Sequence, residues 1–326
     1  MISTLNIANI RGIREGTLKG LSPLSVLVGR NGCGKSTVLD ALEFASSRDA
    51  MKTLMAGIDR RTTDDTNIGA KWLMTNKGDS GHVSIIGPGD ATRTLNFTRT
   101  ADGFEIAHTG VGPIAAARAS GWTNYGPSQM SAPMPRNVRF IDMRARSTPR
   151  LSPHDLYSEA RAAGRKKTIM TLLQALLPGV DDLEILTIDQ KPTLFLGYAD
   201  GAIPLSLSGD GIRNIALLAF ELGVEPDSLM LVEEPETHLH PGAMVKAAEA
   251  MIHAVRPNPG AAQSQLVLAT HSLEFIDALV RAAQSLGAVN LLSVHRLGLE
   301  RGQLNVSSFT GELVLDARAE AELELR

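Results

Sequence analysis

Apolar residues recur along this chain in runs, in alternation and at helical spacing, and the switches between these patterns divide it into elements. Residues 1–28 read as two strands, with Leu5, Ile7, Val26 and Val28 alternating with polar or small neighbours. Arg11, Gly12 and Arg14 fall in the turn between them. Apolar positions at helical spacing (Val38, Leu39, Leu42) predict a helix over 37–45. Residues 46–80 carry little pattern, and Arg60, Arg61, Asp64 and Asp65 read as a surface loop. From 82 to 106, short alternating segments separated by GPGD and ADG predict an antiparallel meander. Residues 107–135, rich in Gly, Pro, Ala and Ser, predict a long exposed loop with a short helix at Ile114–Ala119.

The rest of the chain is more regular. VRFID (138–142) reads as a strand, and 152–177 as helical, with Pro153 at the start and Pro178-Gly179 as the stop. Strands follow at 183–188 and 193–198. Then helices at 212–222, 241–255 and 272–285 alternate with strands at 229–232, 266–269 and 291–295, and a charged helix covers 316–325. Such alternation predicts a largely parallel sheet with helices on its faces. The division expected is 1–145, a helical insertion over 146–182, and 183–326.

Composition narrows the class. Hydrophobic residues make up 43% of 326, enough for a sizeable core. No apolar run approaches the roughly 18 residues of a membrane span, and the N-terminus lacks the pattern of a secretion signal. The single cysteine, Cys33, cannot form an internal disulfide, which fits a reducing cytoplasm. A formal charge of −3 gives no support for nucleic-acid binding by bulk charge.

Chemistry concentrates at 24–44, LSVLVGRNGCGKSTVLDALEF, where Gly29 to Ser36 fits Gly-x-x-x-x-Gly-Lys-Ser between a predicted strand and a predicted helix. Glycines let backbone N–H groups turn inward around phosphate oxygens. The helix start aims unpaired N–H groups and its positive dipole end at the same anion. Lys35 reaches the β- and γ-phosphates, and the Ser36 hydroxyl serves magnesium. Further on, the apolar strand 229–232 delivers Glu233 and Glu234 at its carboxyl end, where open α/β sheets place ligands. The first acid suits magnesium and the second suits the polarisation of water. One strand later His271, between a strand end and a helix start, can reach a γ-phosphate or the attacking water. Ser208, Gly209, Asp210 and Gly211 precede another helix and make a second anion-ready amino end. One nucleotide does not need both ends within one subunit; two copies facing head-to-tail use both.

In this order, the motifs resemble the ABC-type ATPase superfamily. VEEPETHLHP, ATHSLEFID and the opening NIANIRGI are similar to the small ABC-type ATPases grouped with the OLD nucleases and the RecF/SMC recombination ATPases. The resemblance implies an α/β P-loop NTPase with an ABC-type head, an antiparallel β meander and a short helical insertion. It implies ATP and Mg2+ as cofactors. Gly29, Asn31, Gly32, Cys33, Gly34, Lys35, Ser36 and Thr37 form the nucleotide loop, and Ser36 and Glu233 serve the metal. Lys35, Glu234 as base and His271 as γ-phosphate sensor carry catalysis. Ser208, Gly209 and Gly211 contact ATP held by the other subunit of an ATP-dependent homodimer. The implied output is DNA repair or anti-phage defence in the cytoplasm with a separate effector, a nuclease or a toxin, with DNA left open as a partner and no membrane. The alternatives are an ATP-gated scaffold without hydrolysis and the nucleotide-binding subunit of a transporter.

The chain departs from the superfamily pattern in places. Glu233 stands where many members carry Asp, the signature reads SGDG, and no glutamine loop is evident, Gln129 being the available residue. The short insertion excludes a long coiled coil, and no room is expected for a Toprim nuclease domain. Arg136, Arg139, Arg144, Arg146 and Arg150, followed by Arg161, Arg165, Lys166 and Lys167, read as a solvated or internally paired face, a phosphate-binding patch, or a dock for an acidic protein. His238 and His240 read as structural or as part of the dimer loop.

Overall fold

The computed structural model describes residues 1–47, 49–61, 73–74, 79–101, 103–109, 112–118, 121–124, 137–142, 152–223, 228–257 and 263–319. The chain opens with β1 (Thr4–Ile10), β2 (Ile13–Lys19) and β3 (Leu24–Val28), so 1–28 holds three strands where the pattern suggests two. A tight turn at Arg11 and Gly12 pairs Ile10 with Ile13, and Arg14 belongs to β2. Next come α1 (Lys35–Ser46) and α2 (Ala50–Asp59), the second unanticipated.

The meander is longer than its pattern suggests. It runs through β4 (Ser80–Ile86), β5 (Thr92–Thr100), β6 (Gly103–His108), β7 (Gly112–Arg118) and β8 (Gly121–Asn124). Over 114–118 the expected helix is therefore a strand, Ala119 lying outside the described residues, and the expected loop holds two strands. The alanines at 115–117 favour helix locally, but β7 finds ladder partners on both β6 and β8, and pairing overrides propensity.

After β9 (Asn137–Asp142) the predicted helical stretch is two helices, α3 (Pro153–Ala162) and α4 (Lys166–Leu176), broken at Gly164, whose φ of 74° leaves the helical region. A separate antiparallel sheet follows, made of β10 (Asp182–Ile188), β11 (Lys191–Tyr198) and β12 (Gly201–Pro204). The chain then alternates: α5 (Asp210–Gly223), β13 (Ser228–Glu233), α6 (Pro241–Val255), β14 (Gln265–Ala269), α7 (Leu273–Ser285), β15 (Leu292–Glu300), β16 (Gln303–Thr310) and α8 (Gly311–Ala319). Strand β16 was not foreseen, and the terminal helix begins before the predicted Asp316; residues 320–326 lie outside the described residues.

Among the described residues the main sheet has 13 strands, ordered β8-β7-β6-β5-β4-β1-β2-β16-β15-β3-β14-β13-β9. Strands β15, β3, β14, β13 and β9 pair in parallel, and the meander side is antiparallel up to the short parallel contact of β16 with β2. Alternation along β3 divides the core. Leu24, Val26 and Val28 face one cluster with α3 to α7, while Leu27 faces the other with α1 and the meander. Buried on both faces, β3 is all apolar but for Ser25, as a central parallel strand must be. Leu27, Ala269, Glu233 and Asp142 lie level across β3, β14, β13 and β9, so these strands end at one carboxyl edge. No helix among the described residues is long and apolar enough to cross a membrane.

Candidate functional site

The carboxyl edge gathers the chemistry. After Val28 the chain turns through Gly29, Gly32 and Gly34, whose φ values of 140°, 78° and 97° are ones that L side chains rarely adopt. At Gly29 a Cβ would lie 2.4 Å from the Leu297 carbonyl oxygen and 2.8 Å from Cys33 Sγ, so only glycine fits. Arg30, Asn31 and Gly32 are exposed at the rim, and Cys33 is buried beneath them. Gly34 starts α1, and no side chain caps it. That leaves the first N–H groups of α1 open to an anion.

Lys35 is only 6% exposed. Its ammonium donates to the carbonyls of Gly29 (2.6 Å) and Arg30 (3.1 Å) and lies 3.8 Å from Cys33 Sγ, with no carboxylate as ion-pair partner. Burial pushes its pKa down from the ordinary lysine value. A buried ammonium held by backbone carbonyls, with the charges of Glu233 and Glu234 nearby, and set among glycine N–H groups at a helix start, is a donor set for phosphate. Ser36 and Thr37 follow, half-buried, on the first turn.

Glu233, 2% exposed, ends β13. Its Oε1 accepts a hydrogen bond from the Ser36 hydroxyl, and its Oε2 lies 2.8 Å from Arg61 Nη1. Hydroxyl and carboxylate together offer two hard oxygens beside the phosphate cradle. Mg2+ suits such a site, because it keeps water and takes substrate phosphates rather than an all-protein cage. Among the described residues no group of three or more His, Cys, Asp or Glu forms a metal cage.

At Glu234 the backbone leaves the strand with φ 50°, a left-handed conformation unusual outside glycine. Its N–H donates to the Ala269 carbonyl (2.9 Å), which ties the acidic turn to β14. The side chain then meets His271, with Nε2 and Oε1 3.5 Å apart. Glu236, which the sequence reading passed over, braces the pair: its Oε1 accepts from the Thr270 hydroxyl (2.6 Å) and the His271 N–H (3.2 Å). Val28, Gly29, Arg30, Thr270, His271, Leu273 and Ile276 line a cleft with about 440 Å³ of open space.

Within the segment read as a surface loop, Arg60 and Arg61 belong instead to an internal ion cluster. Arg60 and Arg61, at the end of α2, face Asp40 and Glu43 of α1, both buried. Arg11 also pairs with Asp40, and the Arg60 guanidinium sits 3.7 Å from the centre of the Phe140 ring. Burial alone pulls the Arg61 pKa down, but the charges of Asp40 and Glu233 outweigh it and hold it above the ordinary value. Asp64 and Asp65 lie outside the described residues.

The second helix start is more open. Gly209 and Asp210 are exposed, Ser208 and Gly211 half-buried, and the preceding Leu207 is 78% exposed. Its first turn rests on the loop after β13: Asn214 Nδ2 donates to the Thr237 carbonyl (3.2 Å), and a Cβ at Gly211 would lie 3.0 Å from the His238 carbonyl oxygen. The structure therefore gathers Lys35, Ser36, Glu233, Glu234 and His271 at one edge, while the Ser208 hydroxyl donates to the Pro204 carbonyl (3.4 Å). His240 caps α6, its Nδ1 accepting from the Gly242 N–H (3.2 Å). Arg139 pairs with Glu221 and Glu159, both at 3.2 Å, and Lys166 with Asp182 at 2.8 Å, so two of the five described basic residues of that stretch are held in ion pairs within the chain. Gln129, Arg136, Arg144, Arg146 and Arg150 lie outside the described residues.

A parallel sheet with a phosphate loop, an acidic strand end and a neighbouring His at one edge is the fold of ABC-type, SMC-like P-loop ATPase heads. Residues 88–277 match the family model described as "AAA domain, putative AbiEii toxin, Type IV TA system", and residues 1–79 match "AAA ATPase domain". The first model covers more than half of the chain, which belongs to that family. Similar solved structures are SMC heads. One is the SmcHead bound to the C-winged helix domain of ScpA (TM-score 0.62, 13% identity, 95% of this chain and 98% of that one). Another is an SMC head with an extended coiled coil bound to the C-terminal domain of ScpA, derived from Pyrococcus furiosus (TM-score 0.59, 11% identity, 99% of each chain). At such identities the likeness is one of fold. A curated relative, the uncharacterized protein MJECL10 of Methanocaldococcus jannaschii, is 42% identical over 50 residues, which span 15% of this chain and 23% of that protein.

Proposed function

We propose that this protein binds and hydrolyses ATP with Mg2+, and that ATP draws two copies together head-to-tail. The observation that carries this reading is the joint placement of Lys35, a buried ammonium held by the Gly29 and Arg30 carbonyls, and of Ser36 hydrogen-bonded to the buried Glu233. Lys35 and the open N–H groups of α1 hold the phosphates. Ser36 and Glu233 hold the metal, which when bound neutralises charge on the phosphate oxygens. Glu234 takes the proton of the attacking water, and His271, held beside it by Glu236, contacts the γ-phosphate. Ser208, Gly209 and Gly211 of a second copy bring a further set of helix N–H groups to the nucleotide, which favours the charge that builds in the transition state.

The output follows from closure and reopening of that dimer. The family description names a toxin and a Type IV toxin–antitoxin system, and solved heads of this fold carry bound ScpA domains, so a separate protein partner is the reading these support best. In that reading the protein works in the cytoplasm and drives an anti-phage or DNA-repair complex whose effector is a nuclease or a toxin. Phosphate release by the purified protein, with and without DNA, tests the enzymatic core. Steady release that needs Mg2+ and Lys35 is expected; nucleotide binding without turnover under every condition would leave only a gated scaffold.

A further inference from the structure

Glu233 raises a physical question that its partners answer. A glutamate carries one more rotatable bond than an aspartate, so a lone Glu at a strand end places its carboxylate less firmly than the shorter acid would. Here both oxygens are assigned. Oε1 accepts from Ser36, the residue that opens the phosphate-facing turn of α1, and Oε2 lies 2.8 Å from Arg61 Nη1.

Arg61 is itself fixed from behind. Its Nε and Nη2 donate to the two oxygens of Asp40, each at 3.2 Å, in the fork geometry that sets the guanidinium plane. Asp40 lies one helical turn after Ser36 on α1, so the brace and the hydroxyl come from one rigid element. Asp40 is fully buried and also pairs with Arg11 and Arg60. The chain α1–Asp40–Arg61–Glu233–Ser36 thus closes on itself. One carboxylate oxygen is held away from the cradle and the other is aimed at it.

Resting on the ATPase reading above, we infer that Arg61 is a positioning residue for the metal site: it locks Glu233 so that Oε1 is presented to a divalent cation alongside Ser36. The opposite role, a cation that competes with the metal for Glu233, predicts the opposite sign, so one experiment decides between them. Wild type, Arg61→Gln and Arg61→Lys are compared by fluorescence titration of a labelled ATP in EDTA and in Mg2+, and by Mn2+ EPR of the nucleotide complex. Gln keeps hydrogen-bonding reach but removes the charge and the fork; Lys keeps the charge, and guards against a Gln variant that fails to fold. The expected result is a nucleotide Kd in EDTA within about twofold of wild type for both variants. Mn2+ affinity should fall by about 10- to 100-fold in Arg61→Gln and by less in Arg61→Lys, the range for lost support of a metal ligand. Mn2+ binding as tight as wild type, or tighter, in both variants overturns the inference while leaving the ATPase reading intact. A wild-type protein whose nucleotide affinity ignores both metals overturns that reading and the inference with it.

Discussion

The amino ends of α1 and α5 both begin in glycine-containing turns, yet they are finished differently. At α1 the turn is enclosed. Lys35 is buried under it, Ser36 and Glu233 close one side, and Gly29 packs so tightly that a Cβ would strike the Leu297 carbonyl. At α5 the turn is open. Gly209 has nothing within 4 Å of where a Cβ would be, Asp210 Oδ1 lies 3.5 Å from Arg213 Nη1, and Leu207 stands in solvent. The helix dipole is common to both. What α1 adds is a buried cation and two oxygens beside it; in the proposed function α1 is an anion site complete in itself, and α5 is half of one that a second copy completes.

The sharpest way to break this contrast is to empty the complete site. Lys35→Ala should abolish ATP binding measured by calorimetry; unchanged affinity would remove Lys35 from the site. Next in size is Glu234→Gln, which should retain binding and lower turnover by about 100-fold or more if Glu234 is the base; phosphate release at the wild-type rate would refute that role. A smaller effect separates the two glycine turns. Gly29→Ala should cost about 1–3 kcal/mol of stability and weaken ATP binding, because backbone or thiol must move. Gly209→Ala should stay within about 0.5 kcal/mol and leave binding to the monomer untouched. Equal costs at both positions in urea titrations would erase the distinction.

The strand–turn–helix at α1 was legible in the sequence because the chemistry proposed for it fixes residue types: a loop that must admit N–H groups to phosphate needs glycine, lysine and a hydroxyl in register. Its support was not. Arg60 and Arg61 look like solvent-facing charge, and only contact with Asp40 and Glu43 on α1, well away in sequence, makes them internal. Asp40 and Glu43 gave the available hint, since they sit among the apolar positions of a helix that turns out almost wholly buried. Glu236 was hidden in a motif whose other acids drew the attention. The alternating segments of the meander were readable, but the alanine stretch of β7 was not, because its partners on β6 and β8 decide its conformation. Strand β16 carries polar residues at exposed positions and owes its place to β15.

The smallest effect at neutral pH comes from a third region, on β15 beside β3, and serves as a control. His295 is buried, hydrogen-bonded at Nε2 to Ser293 (2.9 Å) and at Nδ1 to Ser308 (2.8 Å), and burial lowers its pKa to about 4. The unfolded chain, with a pKa near 6.5, binds this proton more readily than the folded one. Stability is therefore full above pH 6.5 and is lost as pH falls toward 4, by about 2 kcal/mol at pH 5. Denaturant midpoints at pH 7 and pH 5 should show the loss, and His295→Gln should shrink it. An unchanged pH slope in that variant would assign the acid sensitivity elsewhere, including to the site itself.

The central claim is that the open end of α5 completes a nucleotide site on a second copy. Light scattering of Glu234→Gln with and without Mg2+ and ATP tests it most directly, with Ser208→Arg introduced in the same background. The account predicts that ATP doubles the mass of Glu234→Gln, while the Ser208→Arg form stays monomeric and binds ATP with unchanged affinity. A mass that ATP leaves unaltered, or doubling that survives Ser208→Arg, would contradict it.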